Sequence, residues 1–378
     1  MGALSVFEHT NGQLARLCEV VGVDPDAPIE LLRDLLGPTG SRRLSEPPAW
    51  PSDIADDHTP VEFSVAYNRA EPPSLRILGE ALGAPPGARA NLSAAHRLLR
   101  AQAHRSGLST SRLDRVRNVF ATDAPQGEFA LWFSLVFRAR RRPEFKVYFN
   151  PEVKGIAQAP QLVAEALHRL GVGASYRTML DHAVRPGELG RRDRLTFFAL
   201  DLYDEPQARV KLYLSHHEAE VQDIARAAGV VDGVDPDALA EFCATAGGDT
   251  RVFDRRPLVA SYTLTEGADQ PVGYSLYVPI RSYVHDDQEA RDRVASLLDR
   301  HGFDGAAVDR AITAVTRRPL RAGVGLIAHV SLRLGAPRPG VTVYLSSEAY
   351  QVSPPLPRQA PVIPAPATGS AARTAALT

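Results

Sequence analysis

The chain of 378 residues is 44% hydrophobic and 23% charged, enough apolar material for a large core in an ordinary soluble composition. Its 43 Lys and Arg against 44 Asp and Glu leave a net charge of -1, which argues against a general nucleic-acid binder, because such proteins carry a basic excess. Two distant cysteines, Cys18 and Cys243, exclude a disulfide framework and a cysteine metal motif. No apolar run reaches the ~18 residues of a membrane helix, and the start MGALSVFEHT is no signal peptide. A cytoplasmic protein without nucleic-acid or membrane partners is the expectation.

Leu14, Leu17 and Val21 recur at helical spacing and predict a first helix. Residues 38–58, rich in Pro, Gly, Ser and Asp, read as a loop leading into a strand at Val61–Asn68. That strand is followed by a second at 75–78, and then by a helical pattern at Leu92, Ala95, Leu98 and Leu99. The same succession returns at 131–138 with Lys146-Val147-Tyr148, followed by a helix carrying Leu162, Val163, Ala166, Leu167 and Leu170. It returns again at 195–203 with Lys211-Leu212-Tyr213, and at Leu258–Leu264 with Ser275-Leu276-Tyr277 before a helix at Val294, Leu297 and Leu298. The last pair is 326–333 with Thr342-Val343-Tyr344. Turn-forming stretches separate the members of a pair: Arg141-Arg142-Pro143, Asp204-Glu205-Pro206 and Gly335-Ala336-Pro337. From Ser353 the chain is Pro/Ala-rich without amphipathic period, so 353–378 is expected to be a disordered tail beyond a single barrel domain at 1–352.

The short second strands stand 65, 64 and 67 residues apart, and Arg76 lies 70 residues before Lys146. This spacing predicts five strand-strand-helix repeats. Ten antiparallel strands so arranged can close into a barrel with a solvent-filled lumen ringed by helices, an α+β fold without sticky edges. Alternation assigns the two faces. Val61, Phe63, Val65 and Tyr67 form an apolar side against Glu62, Ser64 and Ala66, and Val341, Val343 and Leu345 oppose Thr342, Tyr344 and Ser346. The apolar face packs under helices and the polar one lines the lumen.

Arg76, Lys146, Arg209 and Lys211 then place four cations inside, with Glu62 as the one carboxylate of clear inward phase. Buried like charges repel, so either internal ion pairs or an anionic ligand such as a diphosphate must offset them. Tyr148, Tyr213, Tyr277 and Tyr344 share those faces. They are either core packing or a shield around a carbocation formed as a diphosphate leaves. Asp56-Asp57 and Asp286-Asp287 lack the spacing of an aspartate-rich magnesium motif and read as solvated loop charge, so no metal is expected. His216-His217 reads as surface; His329 has an inward phase and is either a satisfied barrel histidine or part of an acceptor pocket.

Several segments together resemble a known family. They are Thr59-Pro60-Val61-Glu62-Phe63-Ser64, Lys146-Val147-Tyr148, Arg209-Val210-Lys211-Leu212-Tyr213, residues 273–283 (GYSLYVPIRSY) and residues 341–350 (VTVYLSSEAY). They resemble the indole prenyltransferases of the dimethylallyltryptophan synthase type, especially bacterial members that alkylate tryptophan at C6 of the indole benzene ring. The resemblance implies the prenyltransferase (ABBA) barrel and transfer of a dimethylallyl group from dimethylallyl diphosphate to L-tryptophan, with no required cofactor, Mg²⁺ and Ca²⁺ included. It implies that Arg76, Lys146, Arg209, Lys211 and Arg281 hold the diphosphate, that the four tyrosines shield the cation, and that Glu62 accepts the indole N–H. Fungal members carry a lysine base on the strand before the Lys-x-Tyr element. Here that region reads Ala130-Leu131-Trp132-Phe133-Ser134, which puts Trp132 with His329 in the acceptor pocket. Tyrosine, an indole cyclic dipeptide or a phenolic polyketide are alternative acceptors, and a non-catalytic anion-binding barrel is the alternative of another class.

Overall fold

A computed structural model of the chain describes residues 4–69, 71–127, 129–203, 208–335 and 339–357. Ten strands close into one barrel, and every neighbouring pair is antiparallel. They are β1 (Val61–Asn68), β2 (Glu71–Glu80), β3 (Leu131–Phe137), β4 (Glu144–Phe149), β5 (Asp193–Asp201), β6 (Val210–His216), β7 (Leu258–Leu264), β8 (Gly273–Val278), β9 (Ile327–Leu334) and β10 (Gly340–Ser346). Each strand pairs with the next in the chain, and β10 returns to β1 in the register Glu62↔Ser346 through Asn68↔Gly340. Closure satisfies the backbone of the outermost strands without a partner molecule. The predicted strands fall within two residues of these bounds except at two ends: β2 begins four residues before the predicted 75–78, and β6 runs three residues past Tyr213; the predicted turn residues Asp204, Glu205, Pro206, Ala336 and Pro337 lie outside the described residues.

Each hairpin is preceded by two helices, where the periodicity predicts one. The pairs are α1 (Val6–Val21) with α2 (Asp26–Leu36), α3 (Ala88–Ser106) with α4 (Ser111–Val116), and α5 (Ala159–Leu170) with α6 (Ala174–Ala183). They continue with α7 (Val221–Ala228) and α8 (Pro236–Gly247), then α9 (Asp287–Arg300) and α10 (Ala307–Val315). Several are too short to establish a helical period by themselves: α4 has six residues and α7 eight.

The apolar faces meet as the alternation requires. Val61, Phe63 and Val65 of β1 and Val341, Val343 and Leu345 of β10 are fully buried, and α5 lays Val163, Ala166, Leu167 and Leu170 on the same core. Burial of such side chains contributes about 1.5–3 kcal/mol each and holds the helical ring on the barrel. Gly79 lets α2 approach β2: a Cβ there would stand 2.4 Å from Leu35 Cδ2.

Three expectations are corrected. His216 is buried at the end of β6, with Nδ1 2.9 Å from Asp193 Oδ1, and Arg185 Nη2 lies 2.9 Å from the same oxygen. Asp193 is opposite His216 in the β5–β6 register, a proximity that the linear sequence conceals. Asp57 and Asp287 of the tandem aspartates are structural rather than solvated, while Asp56 is exposed. Asp57 accepts the backbone N–H groups of Thr59 and Tyr350 through separate oxygens, and the buried Asp287 pairs with Arg318 and accepts the Gly325 N–H. The beginning of the predicted tail is docked: Ser353 bridges to Val324, and the Leu356 N–H donates to the His285 carbonyl at 2.8 Å. Residues 358–378 lie outside the described residues.

Candidate active site

Strand alternation arranges the lumen in layers, because each two-residue step carries the next inward side chain about 7 Å further along the barrel. On β4 the order is Lys146, Tyr148; on β6 it is Lys211, Tyr213, Ser215; on β9, antiparallel to its neighbours, it is His329, Ser331, Arg333. Cations therefore collect toward the hairpin turns, tyrosines in the middle, and Glu62, Trp132 and His329 toward the other end.

In the cationic layer Lys211 is surrounded by Lys146, Arg209 and Arg76. The structure thus brings together the four cations predicted on β2, β4 and β6. It adds two residues that the strand reading missed. Asp201, at the end of β5, lies 3.0 Å from Lys146 Nζ and 2.8 Å from Arg209 Nε. Arg333 lies within the field of Arg76 and Arg209. Burial alone would raise the Asp201 pKa, but Lys146 and Arg209 outweigh it and keep this carboxylate ionised. Lys211 has no ion-pair partner among the described residues. Burial and the three neighbouring cations push its pKa well below the usual lysine value. The Arg76 Nε is a buried donor without an acceptor among the described residues. One carboxylate serving several cations leaves a layer that fits a polyanion.

The four tyrosines form a continuous belt. Ring centroids are 5.9 Å apart for Tyr148–Tyr213, 5.7 Å for Tyr213–Tyr277 and 5.9 Å for Tyr277–Tyr344. Burial pushes the Tyr148 phenol up to about 12, and those of Tyr213 and Tyr344 well above the usual value. The belt therefore offers neighbouring π faces of the kind that attract a cation, while the oxygens of Tyr148, Tyr213 and Tyr344 stay protonated and weakly nucleophilic.

At the far end Trp132 is 3% exposed, stacked on Phe129 at 4.0 Å and tilted against Phe197 at 5.5 Å. Ile54 from the 38–58 segment completes this apolar wall. Glu62 is buried at the same end, opposite Leu78, which packs against this wall, and desolvation raises its carboxyl to about 8 despite the opposing Arg281 charge. Glu80, a further residue the strand reading missed, accepts from Ser52 Oγ at 2.6 Å; burial raises it to about 7.

Arg281 lies at this end, apart from the cationic layer it was expected to join. It follows β8 on a short 3-10 turn (Ile280–Ser282), where strand alternation no longer sets direction. Its Nε is 2.8 Å from Asp56 Oδ2, its Nη2 donates to Asp56 Oδ1 at 3.1 Å, and its Nη1 is 3.0 Å from His329 Nδ1. A guanidinium only donates, so His329 accepts through Nδ1 and is neutral. Burial, reinforced by Arg281 and Arg256, holds its pKa well below the usual histidine value. The described residues contain no group of three or more His, Cys, Asp or Glu able to hold a metal ion. No helix among them is long and apolar enough to cross a membrane.

Known proteins are similar to this chain over most of its length. A family profile described as tryptophan dimethylallyltransferase matches residues 30–311. The 6-dimethylallyltryptophan synthase from Micromonospora olivasterospora, solved in complex with DMASPP and Trp, is 74% identical, with a TM-score of 0.91 over 93% of this chain and 100% of that one. The prenyltransferase PriB, in a ternary complex with L-tryptophan and dimethylallyl thiolodiphosphate, is 40% identical, with a TM-score of 0.86 over 93% of this chain and 99% of that one. The 5-dimethylallyltryptophan synthase from Streptomyces coelicolor is 37% identical, with a TM-score of 0.85 over 93% and 99%.

Proposed function

We propose, from the premise that the chain belongs to the tryptophan dimethylallyltransferase family, that it transfers the dimethylallyl group of dimethylallyl diphosphate to C6 of L-tryptophan. The observation that carries this reading is the order of layers in one lumen: cations, then a tyrosine belt, then a buried carboxyl beside an aromatic wall. In this mechanism Arg76, Lys146, Arg209, Lys211 and Arg333 hold the diphosphate and stabilise the charge that grows on it as the C–O bond breaks. The belt shields the allyl cation from water while the indole carbon attacks. Glu62 accepts the indole N–H, fixes the ring and stabilises positive charge delocalised onto the nitrogen. Loss of the ring proton restores aromaticity.

Cationic side chains occupy the place that a metal would take, so neither Mg²⁺ nor Ca²⁺ is required in this reading. A cytoplasmic location is part of it, in keeping with the two buried thiols Cys18 and Cys243. Incubation with both substrates in excess EDTA is expected to yield 6-dimethylallyltryptophan by NMR. Abolition by chelator with rescue by Mg²⁺ would overturn the cation clamp, and attachment at another carbon would overturn the regiochemistry.

A pH dependence follows from Lys211. Its pKa is depressed in the free barrel, and an arriving diphosphate raises it, so donor binding takes up a proton. Affinity for dimethylallyl thiolodiphosphate is expected to fall as pH rises from the depressed value toward the ordinary 10.5. Calorimetry in buffers of different ionisation enthalpy should show proton uptake above the range where the donor itself titrates. Its persistence unchanged in Lys211→Met would count against this lysine as the source.

A further inference from the structure

Glu80 is a buried acid that the mechanism leaves without a task. It ends β2, and its side chain is enclosed. Burial raises its carboxyl to about 7, and the charge felt there, that of Asp53, is of its own sign. Burying such a group is costly unless donors surround it. Three do, each from a different segment. Ser52 Oγ donates to Oε2 at 2.6 Å from the 38–58 segment, and Asn91 Nδ2 donates to Oε1 at 3.5 Å from α3. Asn91 is itself held, its Oδ1 accepting the Gly83 N–H at 2.9 Å. The third is Trp132, directly opposite Glu80 in the β2–β3 register, whose indole N–H favours the ionised carboxyl. That Nε1 is buried and has no acceptor within hydrogen-bonding geometry among the described residues, so Glu80 is the group its polarity reaches.

We infer that Glu80 is a positioning residue for the acceptor ring: it fixes Trp132 and residues 52–54, and through them selects the ring carbon that meets the allyl cation. The inference rests on an indole acceptor whose N–H is on Glu62. Such a ring, held by one hydrogen bond, can still swing about that contact, and a wall in a fixed place is needed to select one carbon. Leu78, opposite Glu62, packs against this wall, and Trp132 stacked on Phe129 forms it. Stacking sets the spacing of the Trp132 ring but leaves it able to slide and turn in its own plane; a polar handle at Nε1 fixes that remaining freedom. Ile54, two residues beyond Ser52, packs on the same wall, so one carboxyl ties the wall to the segment that completes it.

The test reads the ratio of the main dimethylallyltryptophan regioisomer to the others by NMR. In Glu80→Leu this ratio is expected to fall about fivefold or more, the size of a lost hydrogen bond, with the KM for dimethylallyl diphosphate near the wild-type value. Glu80→Gln keeps one acceptor oxygen and offers Ser52 Oγ a donor, so it should hold the ratio near wild type. A merely structural role would lower melting temperature and turnover without moving the ratio, and that result in Glu80→Leu would overturn the inference. Trp132→Phe already lacks the N–H, so adding Glu80→Leu to it should change the ratio no further; additive changes would show that Glu80 does not act through Trp132. Inorganic diphosphate binding by calorimetry checks that the leucine variant is folded. If it is not, fluorescence takes its place: the chain has two tryptophans, so Trp50→Phe leaves Trp132 as the only one. Its emission is expected to shift when Glu80→Gln is added, and identical spectra would count against the contact. A wild-type protein inactive on tryptophan would defeat the tryptophan reading itself, whereas an active wild type whose product ratio ignores Glu80 defeats only the positioning role.

Discussion

Replacing Glu62 by alanine is expected to lower the turnover of tryptophan by roughly 10²-fold or more, within the range for a group that stabilises charge in a transition state. The side chain is 4% exposed, and its inward position on β1 is fixed by pairing with Leu78 and Ser346 on either side. Burial raises its carboxyl to about 8, so near neutral pH the free protein holds much of it protonated. An indole N–H favours the ionised form, and so does the positive charge that spreads onto the nitrogen as the ring is alkylated. Turnover should therefore climb with pH until Glu62 ionises, and Glu62→Gln should remove that limb while retaining an oxygen to position the ring. The glutamine variant should fall between wild type and Glu62→Ala in rate.

Stability moves in the opposite sense, which separates a catalytic carboxyl from a structural one. A carboxyl raised from 4.5 to about 8 favours the folded state fully below 4.5 and loses that contribution as pH rises toward 8. Glu62→Gln should therefore unfold at a higher temperature than wild type at pH 8.5 while turning over more slowly. Near-normal turnover in Glu62→Ala, or lower melting temperatures in both variants, would remove this residue from the mechanism.

The barrel and its cation and tyrosine layers were readable because they rest on two regularities, a repeat near 65 residues and a period of two. Lys146, Tyr148 and Tyr344 stand on strands of regular alternation, and Glu62 precedes the register shift at Ala66/Asn68 of β1, so alternation alone assigned their faces. Asp201 escaped because β5 carries an irregularity between Leu195 and Phe197, which shifts the phase midway. Arg333 lies on the same face as Ser331 and His329 and could have been found by extending that reading two residues. Arg281 and His216 failed for a different reason. The first stands on a turn beyond its strand, and the second is buried by Asp193 from a neighbouring strand and by Arg185, contacts that become visible only when the chain is folded.

The same distinction decides which cation gives the cleanest test. Lys146 and Arg209 already share Asp201, so deleting either leaves a buried carboxylate with one cationic partner and disturbs the free protein as well as the complex. Lys211 has no such attachment among the described residues, and its ammonium is opposed by Lys146, Arg209 and Arg76. Lys211→Ala is therefore expected to weaken binding of the diphosphate donor by about 1.5–3 kcal/mol, roughly 10- to 150-fold, as for a lost hydrogen bond to a charged group. The donor-free barrel should be no less stable than wild type, because the cost of burying a lysine among three like charges, whether as repulsion or as a proton given up, has been removed. Calorimetric titration with dimethylallyl thiolodiphosphate and thermal melts without it measure the two effects independently. Weaker donor binding together with an unchanged or raised melting temperature marks a lysine kept for the ligand. Unchanged donor affinity with a lowered melting temperature would mark a structural one, and the diphosphate would then have to be held by the arginines and Lys146 alone.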